Sequence, residues 1–225
     1  MNLVREAGPE AEEGLVMQAL EQTGGRGRFG NQWSSPPGNL YMSVLLRPGK
    51  SMEDSGQLAF VAGVAVARAL ETGTSGLEPR LKWPNDVLRD GRKLAGLLIE
   101  YESRLAGFIL GIGLNVHSPP EGCAGLADTS LSVDCIRDQI LTQLKHDYHR
   151  WHVHGFAPLR EAWLSRAANM GQKVSARLPE GVIEGIFEGL DDRGALVMLN
   201  DRGQHIRITS AEIQLGNVSG ALQER

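Results

Sequence analysis

The chain has 225 residues, 41% hydrophobic and 22% charged, with a formal net charge of −4. That apolar content excludes global disorder, and a chain this long buries roughly 70% of its unfolded surface without disulfide or metal staples. The acidic balance and the lack of a basic block disfavour nucleic-acid binding. Cys123 and Cys135 make no disulfide framework and read as reduced thiols. No stretch nears the ~20 apolar residues of a membrane span, and Met1 to Glu6 lacks the basic start and apolar run of a signal peptide. The expectation is a cytoplasmic protein with no membrane attachment.

In chain order, Leu3 to Glu13 is short and acidic, a helix remnant broken at Gly8-Pro9. Leu15 to Leu20 predicts a buried strand. A Gly- and Arg-rich loop, Gly24 to Gly30, follows, and Asn39 to Leu46 predicts a strand. Residues 56–71 are Ala/Val-rich with Gln57 and Arg68 at the edges, which predicts a mostly buried helix ended by Gly73 and Gly76. Arg80 to Trp83 is a short strand stopped by Pro84. Val87-Leu88 and Lys93 to Tyr101 flank Arg89-Asp90-Gly91-Arg92, a hairpin signal. Phe108 to Val116 is another apolar strand, and 117–131 a loop. Ser132 can cap a helix on which Ile136, Ile140, Leu144, Tyr148 and Trp151 recur at helical spacing. A second helix is expected over 156–168. His146, His149, His152 and His154 alternate with Lys145, Asp147 and Arg150, which reads as a solvated face. After Gly171, short strands between Asp/Gly turns predict a small all-β barrel or sandwich. The expected division is 1–168, 171–216 and a loose tail, 217–225.

Three clusters carry chemistry. Gly25 to Gly30 spells G-x-G-x-x-G, but Gln32 to Pro37 cannot open the helix a dinucleotide site requires, and no Walker pattern is present. What remains is a glycine backbone bearing Arg26 and Arg28, suited to a carboxylate or phosphate, or else a solvated surface loop. The second cluster is Lys82-Trp83-Pro84-Asn85-Asp86, with Lys93, Gly96 and Glu100 beyond it. A lysine beside Trp83 on an apolar strand is costly unless it meets an anion, although Lys82 and Asp86 could be an ordinary ion pair and Trp83 ordinary core. The third is Gly111-Ile112-Gly113-Leu114-Asn115-Val116, whose glycines imply either a ligand pressed on the strand or a bulge. No Ser/His/Asp or Cys/His nucleophile constellation is evident.

In their order and spacing these segments, together with Gln22 to Gly30, Trp33, Ser35-Pro36, Gly38 to Ser43 and Leu46-Arg47-Pro48, resemble the biotin protein ligases over roughly residues 2–215. The resemblance implies an α/β ligase domain with a mixed sheet and packed helices, followed by a small SH3-like β-barrel, in a form without a DNA-binding domain. It implies ATP-dependent biotinylation of a lysine on a biotin carboxyl carrier protein through biotinyl-5′-adenylate, with Mg²⁺ accompanying ATP. It places Gln22, Arg26, Arg28, Lys93 and Gly96 at biotin, and Trp33, Lys82, Gly113 and Asn115 at the nucleotide. Arg26, Arg28 and Lys93 would neutralise the reacting anions, and Asp86 would orient the incoming amine. No protein metal ligand is named. Asn31 and Gln32 stand where the family commonly has basic residues. A Ser-Thr pair that contacts biotin is absent ahead of Met1-Asn2-Leu3, as if the first strand were missing. That implies weaker activity than a longer chain would have, and an exposed sheet edge that invites a homodimer. The competing readings are a lipoate ligase or octanoyl transferase of the same fold, and a non-catalytic biotin-binding module. A barrel that binds nucleic acid is disfavoured by Asp191, Asp192 and Asp201.

Overall fold

The computed structural model describes residues 1–178 and 181–215. The expected tail 217–225, residue 216 of the expected second domain, and Pro179-Glu180 of one expected turn lie outside the described residues.

The first sheet collects the apolar segments of the first half of the chain: β1 (Val16–Ala19), β2 (Leu40–Leu46), β3 (Arg80–Lys82), β4 (Asp86–Arg89), β5 (Arg92–Glu102) and β6 (Gly107–Leu114), in the order β1-β2-β6-β5-β4-β3. Its ladders are antiparallel. One isolated parallel bridge, Leu81 to Ala167, joins β3 to the chain beyond the sheet. The β4–β5 hairpin closes on Asp90 and Gly91 with φ of 52° and 72°, the left-handed pair a two-residue turn demands. The helices are α1 (Asn2–Glu6), α2 (Met52–Ser55), α3 (Leu58–Gly73), α4 (Val133–His154) and α5 (Ala157–Leu164).

Alternation along β2, β5 and β6 divides the sheet into two faces. Leu40, Met42, Val44, Leu97, Leu110, Ile112 and Leu114 join the main core, to which α3, α4 and α5 also contribute. The opposite face carries a small second cluster, Val4, Leu45, Leu105 and Ile109, beside a cavity. Helix α3 is apolar nearly all round, as a helix covered on several sides must be. Its polar edges find partners on α4. Trp151 Nε1 donates to Gln57 Oε1 at 2.7 Å, and Arg68 pairs with Asp147. Asp147 is therefore fully buried, not part of the solvated face that the histidines around it form. A carboxylate sealed there needs its guanidinium, since an unpaired buried charge is costly. Ser132 Oγ caps α4 by accepting from Cys135 N at 3.1 Å.

Two elements differ from the sequence expectation. β1 is half-buried, because it forms an outer edge of the sheet, and Leu20 beyond it is exposed. α5 stops at Leu164 because the following backbone turns to β3. There Leu81 N donates to Arg166 O, and Ala168 N donates to Leu81 O, both at 2.8 Å.

The second sheet comprises β7 (Lys173–Leu178), β8 (Gly181–Leu190), β9 (Leu196–Leu199), β10 (His205–Ile208) and β11 (Glu212–Leu215), in the order β10-β9-β8-β7-β11. It is the small C-terminal β unit of the expected fold, and among the described residues no ladder joins β10 to β11. The sequence pattern did not mark β11. Trp83 Nε1 ties the two sheets by donating to Gly194 O at 3.0 Å. Among the described residues no helix is long and apolar enough to cross a membrane.

Candidate active site

The floor of the cavity is glycine. Gly96 on β5 and Gly113 on β6 are register partners, as are Leu98 and Gly111. All four line a cavity of about 550 Å³ on the sheet face away from α3. Gly111 and Gly113 lie in an uninterrupted ladder, so the bulge alternative does not apply. Their role is close approach. A Cβ on Gly96 would come within 2.8 Å of the Trp33 ring, and one on Gly113 within 2.7 Å. Trp33 therefore lies flat against two strands, with Lys93 Nζ 5.2 Å from its ring centre. The Trp33 Nε1 is buried without a hydrogen-bond partner.

The Gly-Arg segment is a small hairpin rather than a loose loop. Trp33 N donates to Gly25 O at 3.0 Å, and Gly27 N donates to Asn31 O at 2.7 Å. Gly25 is required at its base: a Cβ there would strike the Trp33 carbonyl, Gln22 Oε1 and Ser35 Oγ. Phe29, at the tip, adopts φ of 55° and is exposed. Arg28 stacks on the Phe29 ring at 4.7 Å, and its Nη2 donates to Ser210 Oγ at 2.9 Å. Burial pulls the Arg28 guanidinium below its ordinary range, partly offset by Asp86. A cation desolvated in this way favours an anionic partner.

From the opposite side, β3 and β4 deliver Lys82 and Asp86, which are register partners across their hairpin. Asp86 Oδ1 holds Lys93 Nζ at 2.7 Å, so the carboxylate pairs with Lys93 rather than with Lys82. Gln22 accepts a hydrogen bond from Ser35 Oγ at 2.7 Å through its Oε1, which leaves its Nε2 hydrogens free for a ligand.

Of the residues singled out from the sequence, Gln22, Arg26, Arg28, Trp33, Lys82, Asp86, Lys93, Gly96 and Gly113 line this one cavity. Asn115 does not. It is fully buried behind the wall, where its N donates to Leu94 O at 2.9 Å and its Nδ2 to Lys93 O at 3.4 Å, with Oδ1 unpartnered. Ala211 and Ile213 also line the cavity. Sequence reading missed them, together with Ser210, because they come from the start of β11 and the segment before it, far along the chain, and the Arg28–Ser210 contact spans 182 residues. Among the described residues no group of three or more His, Cys, Asp or Glu side chains could hold a metal ion.

Residues 5–116 match the Biotin/lipoate A/B protein ligase family, and residues 170–216 match the Biotin protein ligase C terminal domain. A biotin–[acetyl-CoA-carboxylase] ligase of Paracoccus denitrificans is 38% identical, over 88% of this chain and 89% of its own length. The chain belongs to the biotin protein ligase family. Another relative, the bifunctional ligase/repressor BirA of Bacillus subtilis, is 36% identical over 93% of this chain and 69% of its own. The structure of the biotin protein ligase from Aquifex aeolicus in complex with biotin and ATP superposes with a TM-score of 0.82. It is 30% identical, covering 92% of this chain and 90% of the other. As a biotin protein ligase, the chain has its glycine floor, its cationic hairpin and its second sheet around one cavity.

Proposed function

We propose that the protein is an ATP-dependent biotin–[biotin carboxyl carrier protein] ligase that works through biotinyl-5′-adenylate. The observation that carries this reading is the convergence of Arg26, Arg28, Lys82 and Lys93 on one cavity whose floor has no side chains at Gly96, Gly111 and Gly113. Such a floor lets the Trp33 ring lie on the strands as one wall for a flat ligand, and four cations suit a carboxylate meeting a triphosphate. In the first step a biotin carboxylate oxygen bonds to the α-phosphorus as the bond to pyrophosphate breaks. The carboxylate is itself the nucleophile, so the protein's work is positioning and charge neutralisation. Gln22 donates to the polar end of biotin. Arg26, Arg28 and Lys93 gather the carboxylate and α-phosphate oxygens. Lys82 faces the departing phosphates, and Trp33 and Gly113 support the adenine. Asn115 acts from behind, holding the backbone of Lys93.

In the second step a neutral carrier lysine attacks the acyl carbon and the bond to AMP breaks. Asp86 pairs with Lys93; the phosphate competes for the same ammonium, and the released carboxylate accepts a hydrogen bond from the amine. Mg²⁺ belongs to this scheme as the counter-ion of ATP. Residues 1–168 carry the reaction, and the C-terminal unit closes one wall through Ala211 and Ile213. β1, at the sheet's outer edge, supports a homodimer formed along that edge. ATP–pyrophosphate exchange dependent on biotin, with lipoate as control, tests the reading. Exchange with biotin alone is expected. Exchange driven by lipoate would redirect it within the fold, and binding without exchange would make the chain a biotin-binding module.

A further inference from the structure

Glu100 sits on β5 in the row Gly96, Leu98, Glu100, Glu102, which the two-residue period of a strand turns to the cavity side of the sheet. Its Oε2 accepts from Arg5 Nη2 of α1, and lies 3.5 Å from Arg26 Nη2 of the hairpin. One carboxylate thus stands between two cations that would otherwise repel. The two cations depend on it unequally. Arg5 is also held by Glu102 Oε2 and by Asn2 Oδ1, each at 2.9 Å. Arg26, among the described residues, has Glu100 alone as a carboxylate partner. At 3.5 Å the contact is an attraction between charges rather than a hydrogen bond, so the N–H fork of Arg26 is unspent.

We infer that Glu100 is a positioning residue for Arg26. It restrains the guanidinium at the cavity rim by charge while leaving every donor free for the carboxylate of the acyl substrate. An arginine held by a bidentate hydrogen bond would have to break it before binding substrate, and an arginine held by nothing would have to be ordered first. Glu100 avoids both costs. This inference rests on the functional reading above and deepens it by adding a residue that acts through Arg26 without touching substrate.

The test is Glu100→Gln, with biotin KM and kcat taken from biotin-dependent pyrophosphate exchange. Loss of a partly exposed charge pair predicts a roughly three- to five-fold rise in KM for biotin. The gap between variant and parent should narrow as salt is raised. Glu100→Asp keeps the charge and should recover most of the loss. Glu102→Gln, which touches Arg5 but not Arg26, should leave the biotin KM at the parent value. In an Arg26→Ala background Glu100→Gln should have no further effect. An undiminished effect in that background, or an equal effect from Glu102→Gln, would overturn the inference by showing that Glu100 acts through α1. A parent active with biotin and a Glu100→Gln variant identical to it would overturn the inference alone. A parent with no biotin-dependent exchange would overturn the functional reading and this inference together.

Discussion

The two faces of β5 and β6 are made from alternate residues of the same strands, yet they obey different rules. Toward α3 the residues are Leu97, Leu110, Ile112 and Leu114, all buried in the main core that the helices share. Toward the cavity they are Gly96, Leu98, Gly111 and Gly113, and what packs on the two glycines of the central register pair is the ring of Trp33, which comes from a hairpin. One face converts side-chain volume into stability. The other gives up that volume so that a ring can lie on the backbone. The strands are rigid because their first face is full, and that rigidity is what makes the bare second face a defined surface.

The comparison can be broken most severely at the cations above the bare face. Lys93→Ala is expected to lower biotin-dependent pyrophosphate exchange by about 10²–10³-fold, the usual cost of losing one preorganised charge contact. Its melting temperature should hardly move, because Lys93 packs on Trp33 and Asp86 and not in the helix-facing core. Exchange within threefold of the parent would remove Lys93 from the mechanism.

On the full face the effect should be thermodynamic. Leu110 is completely buried, and Leu110→Ala leaves a hole between the sheet and the helices that costs about 2–5 kcal/mol. Denaturant unfolding should show the loss, while the folded fraction keeps the parental KM for biotin. A large rise in KM without a stability change would mean that the two faces are not separable.

Gly113→Ala sharpens the same contrast from the other side. The new methyl would sit 2.7 Å from the Trp33 ring, so the ring must lift from the strand. Overpacking costs about 1–3 kcal/mol where the surroundings cannot give; here the hairpin can move, so about a tenfold rise in the KM for ATP is expected with little loss of stability. An unchanged KM would show that Trp33 adapts without consequence for the nucleotide.

Part of this division was legible in the sequence. Gly111-Ile112-Gly113 reads as a buried strand that something approaches closely, and Ala/Val-rich residues 56–71 as a mostly buried helix, but that the approaching group at Gly113 is the chain's own Trp33 ring was not. The hairpin at Asp90-Gly91 and the cap at Ser132 follow from local chemistry and appear where that chemistry puts them. Long-range pairing was not legible. Asp147 reads as one more charge on a polar helix until Arg68 of α3 is seen to meet it. Arg28 and Ser210 have no periodic relation that spacing could reveal. The Gly-Arg segment reads as flexible, because glycine composition cannot tell that Gly25 and Trp33 pair across it.

The smallest expected effect concerns a residue that does not line the cavity. Ser35 Oγ donates to Gln22 Oε1 at 2.7 Å and lies 3.2 Å from the Trp33 carbonyl. The bond selects one face of the Gln22 amide for the serine and turns the other, with its two N–H donors, toward the ligand. Ser35→Ala removes this selection without removing Gln22. A neutral hydrogen bond is worth about 0.5–1.5 kcal/mol, so the KM for biotin should rise roughly two- to tenfold while kcat is retained. Ser35→Thr keeps the hydroxyl and should stay near the parent. Ser35→Ala combined with Gln22→Ala should be no worse than Gln22→Ala alone, since an orienting group has nothing to orient once the amide is gone. Additive losses in that pair would instead make Ser35 a support for the hairpin base around Gly25, where an added Cβ would lie 2.8 Å from Ser35 Oγ.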